Sequence, residues 1–344
     1  MPQILVGLIE LEECLGFDPS SNLSPLFPFK EACRVHENQP QSLFGFLGLG
    51  FAYQSPYFRE CVMFIAAAMD LVRYFRAAPN KAGVRKLRPH FALISHGFFG
   101  IAGTYPIQMS KGSLLRRMLT EHGVELPTDA IAKDATRKTI ELMLALAALN
   151  AFDEIEVEDP NSSDPADPNP DLIVQYEGKR FGIACKSISS MQEETFKENV
   201  AKGISQLERA IDAGKVDRRS GVVLLDVSAL LDQDKLFMPE TSHCWLHQES
   251  GSIFTGFVGS ALQSLFAPHS NRTYHDILAP IYRGHALPVG VLVYAHGLML
   301  CERDGIVSPV YQKGVLLVFG GDTSSLGRFS KRLNLALHCQ APRS

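Results

Sequence analysis

An α/β protein with a mainly helical N-terminal region is what this sequence predicts, and three observations carry that reading. From residue 127 to 228 the hydrophobic pattern runs helix, three strands, helix, strand. Within that order, Gly221–Leu225 is an unbroken apolar run, as in a strand buried on both faces. Residues 1 to about 120 instead read as mostly helical. The expected division is therefore 1–124, a helical recognition or assembly domain, and 125–344, an α/β domain.

Each element has its own warrant. Phe58–Ala78 carries apolar residues at three- and four-residue spacing and stops at Pro79-Asn80, and Ser113–His122 reads as a short helix closed by Gly123. Pro127 with Thr128 or Asp129 starts a long helix on which Ile131, Ala135, Ile140, Leu144 and Ala148 recur up to Asn150. Phe152–Val157 is a half-buried strand, and Pro160–Pro170 a loop of Pro, Asp, Asn and Ser. Asp171–Tyr176, the Glu177-Gly178 turn and Arg180–Ile188 form an antiparallel hairpin. Phe196, Val200, Ile204, Leu207 and Ile211 make one apolar stripe, ended by Gly214. Further on, Ser252–Ala267 and Thr323–His338 read as helices, and Leu287–Ala295 and Gly314–Phe319 as strands.

Composition narrows the function classes. With 344 residues, 46% hydrophobic and 20% charged, the chain has the make-up of an ordinary globular protein rather than a disordered or coiled-coil one. The longest apolar stretches, near Cys61–Val72 and Leu142–Phe152, are too short and interrupted to span a bilayer. Met1–Leu5 has no basic residue ahead of its apolar ones and acids follow at Glu10, Glu12 and Glu13, so the expectation is a cytoplasmic protein without a secretory signal. Seven scattered cysteines without a CxxC pair argue for reduced, mostly buried thiols. The net charge of −4 leaves nucleic acid open as a partner, because charge distribution matters more than its total. Between residues 71 and 90 stand Arg73, Arg76, Lys81, Arg85, Lys86 and Arg88 with no acid among them. These are either the solvated faces of helices or a surface that contacts phosphates.

The sharpest chemical signal lies in the hairpin. Pro170-Asp171 opens one strand, and Ile183-Ala184-Cys185-Lys186 belongs to the next. Because side chains alternate along a strand, Gly182, Ala184 and Lys186 share a face. An ammonium in that apolar stretch needs an anionic partner or water, and Asp171 across the hairpin is the expected one. Glu141 is a second charged group needing an explanation, at the head of the apolar run to Leu149.

Together these residues resemble the PD-(D/E)xK nucleases, the restriction-endonuclease-like superfamily that includes Holliday-junction resolvases and RecB-type nucleases. The resemblance covers roughly 127–228 and rests on the element order, Glu141, Pro170-Asp171 and Lys186. It implies a restriction-endonuclease-like core and Mg²⁺-dependent hydrolysis of DNA phosphodiesters, with Mn²⁺ as a substitute. Glu141, Asp171 and the Cys185 carbonyl would ligate the metal, and Lys186 would orient or help deprotonate the attacking water. Gln206 resembles a glutamine that some RecB-like members place beside the site, and Lys202, one turn earlier, is a candidate phosphate contact. Hard divalent cations take such oxygen ligands in octahedral geometry.

One position departs from the pattern. Where the family places Asp or Glu, two residues before Lys186, stands Ala184. We expect it to be an inactivating replacement of the motif acid; the alternative is a non-cleaving nuclease-fold subunit that binds nucleic acid or protein partners. A homodimer or a place in a larger complex, no membrane partner, and a role in defence against foreign DNA are further expectations, the last resting on fold-level analogy alone.

Overall fold

The Glu177-Gly178 pair turns with φ of 50° and 72°, the two left-handed residues that a tight hairpin turn requires. It joins β2 (Leu172–Tyr176) to β3 (Lys179–Ser187) in antiparallel register, Leu172 opposite Ile183 and Tyr176 opposite Lys179. On the far side of β2, β1 (Ile155–Val157) pairs antiparallel. The computed structural model describes residues 2–21, 24–27, 29–30, 33–34, 56–92, 141–158, 170–190, 192–239, 244–266, 274–283, 290–319 and 323–338. The helix expected over 113–122 and the first part of the 127–150 helix lie outside the described residues; 141–148 of the latter is helical.

The chain divides into two units: Met1–Leu146 with Gln233–Ser250 and Leu298–Tyr311, and Ala147–Asp232 with Gly251–Gly297 and Gln312–Ser344. In the second unit, β3 leads into the helix α4 (Glu193–Asp212) and returns as β4 (Gly221–Asp226), parallel to β3 with Ala184 opposite Val223 and Lys186 opposite Leu225. β6 (Gly290–Arg303) then pairs parallel to β4, giving the order β1-β2-β3-β4-β6. The architecture is mixed α/β. The strands expected over 152–157, 171–176, 180–188 and 221–225 and the α4 helix fall within a few residues of their predicted bounds.

Alternation along β3 builds two apolar layers. Ala184 joins Val223, Leu225 and Val291 beneath Phe196, Val200, Ile204 and Leu207 of α4, with Leu265 of α6 (Ser250–Phe266) and Ile277 and Leu278 of α7 (Tyr274–Arg283) completing the cluster. On the opposite face Phe181 stacks on Phe329 of α8 (Thr323–Leu337), with centroids 4.7 Å apart, and Phe152 and Tyr176 close around them. Two glycines permit the helix packing. A Cβ on Gly203 of α4 would stand 2.7 Å from Val223, and one on Gly182 would stand 2.7 Å from Val216 and 2.9 Å from Leu207.

β6 and β7 (Ile306–Phe319) are far longer than the sequence suggested. Asp304-Gly305 joins them, at φ of 54° and 78°, another turn with two left-handed residues. On α8 the Asn334 side chain accepts from the Val315 N–H at 2.7 Å and donates to its carbonyl at 2.6 Å.

In the first unit α1 (Pro2–Leu15) packs on α2 (Pro56–Ala77) and the short α3 (Lys81–Arg85). Glu12 of α1 is fully buried and takes the Lys30 ammonium at 2.8 Å; Ser24 donates to it and Lys30 also bonds the Pro19 carbonyl. This unit also contains α5 (Gln233–Phe237) and β5 (Trp245–Leu246), which pairs with Cys301 and Glu302 of β6. Among the described cysteines Cys33 and Cys301 are buried, and Cys14, Cys185 and Cys244 are partly buried.

Candidate functional site

Continuing the β2–β3 register one step past Leu172 and Ile183 sets Asp171 beside Ala184. The Asp171 carboxylate is nearly buried, and its Oδ2 accepts the Cys185 N–H at 2.6 Å. Lys186 is on the α4 face of β3, like Ala184. Its Nζ donates to Gln206 Oε1 on α4 at 2.7 Å and stands 3.7 Å from Asp171 Oδ2. Asp171, Lys186 and Gln206, expected from sequence as site residues, thus come together at one end of the β2–β3–α4 packing. Gly203 matters to this arrangement because its close approach to Val223 brings α4, and Gln206 one turn on, within reach of the lysine.

Ala184 is fully buried in the apolar cluster under α4 and offers no oxygen to the site. Glu141 is also buried, at 5% exposure, and belongs to the first unit, whereas Asp171, Lys186 and Gln206 belong to the second. Lys202 is exposed on α4 and lies 3.6 Å from Glu198.

The six cations of 71–90 are all exposed, and Arg76, Lys81, Arg85 and Arg88 make contacts within the first unit. Arg76 reaches the Gln3 carbonyl and Glu10 on α1, and Arg85 bonds the Cys14 carbonyl at the helix's C-terminal end. Lys81 bonds the Phe75 carbonyl and lies over its ring, and Arg88 lies over Phe17. These contacts make much of the patch a fastening for α1, while Arg73 and Lys86 also face solvent.

Sequence reasoning missed a second polar cluster, on the sheet face away from α4. Asp226, at the end of β4, accepts both the hydroxyl of Ser228 at 2.5 Å and its N–H at 3.0 Å. The same hydroxyl oxygen lies 2.8 Å from His296 Nδ1 and accepts the His296 backbone N–H at 3.0 Å. Burial pushes the Asp226 carboxyl up to about 6, against the Ser228 hydrogen bonds that favour its charge. Burial, helped by the Lys313 charge, pushes the His296 imidazole down to about 3. Sixty-eight residues separate Ser228 from His296, so no local spacing announces the cluster.

Chemically, the hairpin site is suited to holding a phosphate through Lys186, with Asp171 fixing the lysine. A Mg²⁺ ion needs several oxygen ligands, and the Asp171 carboxylate is already engaged by an N–H and an ammonium. Among the described residues no three His, Cys, Asp or Glu side chains converge as a ligand set. As they stand, these residues do not fit the metal. No helix among the described residues is long and apolar enough to cross a membrane. Comparison with family models, curated proteins and solved structures returns no match.

Proposed function

We propose that the second unit is a PD-(D/E)xK-type, restriction-endonuclease-like core whose Asp171–Lys186–Gln206 grouping docks a DNA phosphodiester. Ala184 stands where the second carboxylate of a metal-dependent endonuclease belongs. The observation that carries the reading is a lysine that meets both an aspartate at the start of the paired strand and a glutamine on the following helix. The antiparallel β1-β2-β3 set and the crossover through α4 to a parallel β4 support it. Phosphate contacts by lysine and arginine give affinity without base specificity. The chain as it stands binds DNA and leaves it intact.

The full burial of Ala184 among apolar side chains favours a second reading of that position. A native alanine makes this a binding or assembly subunit on a nuclease scaffold, whereas a replaced acid makes it an arrested enzyme. Two measurements test the proposal. Labelled duplex is titrated at about 50 and 200 mM salt, where several phosphate contacts change affinity by orders of magnitude, and the Ala184→Glu protein is assayed on plasmid DNA with Mg²⁺ and with EDTA. Binding that weakens steeply with salt, and EDTA-sensitive cutting by the variant, are the expected results. Salt-sensitive binding without cutting of DNA or RNA by the variant selects the subunit reading. Absence of binding at the lower salt removes DNA altogether.

A further inference from the structure

In the first unit α1 ends in a glycine turn on which two arginines lie. Gly16 takes a φ of 75°, its N–H reaching back to the Glu13 carbonyl and the Phe17 N–H to the Glu12 carbonyl, the bonds of a helix closed by a left-handed residue. Arg85 donates through Nε to the Cys14 carbonyl of the same turn. Arg88 lies over the Phe17 ring, 5.1 Å from its centroid, and a Cβ on Gly16 would stand 3.5 Å from its Nη1. Lys86 stands between them in sequence, and all three are exposed.

These contacts position the charged heads without saturating them. Arg85 gives one N–H to a carbonyl and keeps both terminal amino groups, and Arg88 offers its face to a ring and keeps its donor edge. Among the described residues none of the three forms an ion pair, whereas Arg76 of the same run meets Glu10 at 3.5 Å. Of the acids near the turn, Glu13 is exposed and Asp18 accepts the N–H and hydroxyl of Ser20. The apolar residues between the cations, Val84 and Leu87, are buried.

We propose that Arg85, Lys86 and Arg88, set on the end of α1, form a surface of the first unit that grips the phosphate backbone of duplex DNA. A guanidinium already fixed in place loses less freedom on meeting a phosphate, and its fork matches two phosphate oxygens. Contacts of this kind give affinity independent of base sequence. An anionic bilayer would meet the same charges, but binding there also draws on apolar side chains inserted beside them, and this corner exposes none between its cations. The surface shares no residue with the Asp171–Lys186–Gln206 grouping, so either can fail while the other stands.

Anisotropy titration of a labelled duplex with the full chain, between about 50 and 200 mM salt, tests the surface. Each phosphate contact contributes about 0.9 to the slope of log affinity against log salt, so the triple variant Arg85→Gln, Lys86→Gln, Arg88→Gln lowers that slope by about two to three. Arg85→Lys with Arg88→Lys keeps the charges and the slope, which separates lost charge from lost fold. The distant triple variant Lys179→Gln, Arg218→Gln, Arg303→Gln removes equal charge and leaves the slope as in the wild type. A wild-type slope in the first variant overturns the proposal, and so does an equal fall in the lysine variant or the distant one. Absence of duplex binding at the lower salt overturns it outright, and binding to phosphatidylserine vesicles in its place assigns the surface to a membrane. A slope that falls in the corner variant but not in Lys186→Met leaves this surface standing and removes Lys186 from the interface.

Discussion

Lys186 reaches Gln206 at 2.7 Å while standing 3.7 Å from Asp171, so its ammonium is held from two sides by groups on two different elements. The aspartate supplies charge and the glutamine direction. If Lys186 contacts a phosphate, Lys186→Met lowers duplex affinity and reduces the salt slope by about one. Gln206→Ala lowers affinity less and leaves the slope unchanged, because the charge remains. A wild-type slope in the methionine variant would show that this lysine is not in the interface.

Gly203 lets α4 pack closely over Val223 of β4. Gly203→Ala places a methyl 2.7 Å from Val223, an overpacking contact worth about 1–3 kcal/mol of destabilisation. The gain in helix propensity recovers only about 1 kcal/mol. Urea unfolding should therefore show a lower midpoint, restored in large part by Val223→Ala in the double variant; an additive loss in that pair would contradict the contact.

The Asp226–Ser228–His296 cluster gives stability two opposing pH dependences. Asp226 has a folded-state value raised to about 6, so its contribution is full below the unfolded value near 4 and is lost as pH rises through 6. His296 is depressed to about 3, so its contribution is full above about 6.5 and is lost as pH falls towards 3. Asp226→Asn keeps an oxygen for Ser228 and removes the charge. It should stabilise the protein above pH 7 by on the order of 2–3 kcal/mol, with the advantage vanishing below pH 4. Denaturation curves of both proteins at pH 4 and 7.5 decide this, and an equal difference at the two values would refute it.

Lys30 and Glu12 form an ion pair at 1% and 0% exposure. Burial raises the Glu12 carboxyl against the pull of Lys30 and Ser24. Lys30→Met leaves the carboxylate buried without its cation and should cost about 3–5 kcal/mol. Removing both charges in Glu12→Leu with Lys30→Met should recover most of that loss. Guanidinium unfolding of the three variants is the measurement; a double variant as unstable as the single one would assign the loss to packing.

Local pattern explains what the sequence made legible. β2, β3 and α4 carry clean periods, and the Asp171–Lys186 pairing follows from an isolated charge on an apolar strand with one acid at hand. Gln206 required the resemblance, because a glutamine amid a helix has no pattern of its own. β7 was cut short by its polar first half and Pro309, although Asp304-Gly305 is a strong turn signal. Asp226, Ser228 and His296 were invisible for another reason: their meeting is fixed by the parallel pairing of β4 with β6, a choice of strand order that neither segment reveals alone.

Asn334 presents to Val315 the donor and acceptor that an adjoining strand would present. Among the described residues β7 pairs with β6, and a strand edge without a neighbour is a template for a strand from another chain. A single amide reaching across from α8 plugs that template at one register position. A foreign strand must evict it to zip past, so the helix serves as a guard against sheet-to-sheet polymerisation as well as a cover for the core.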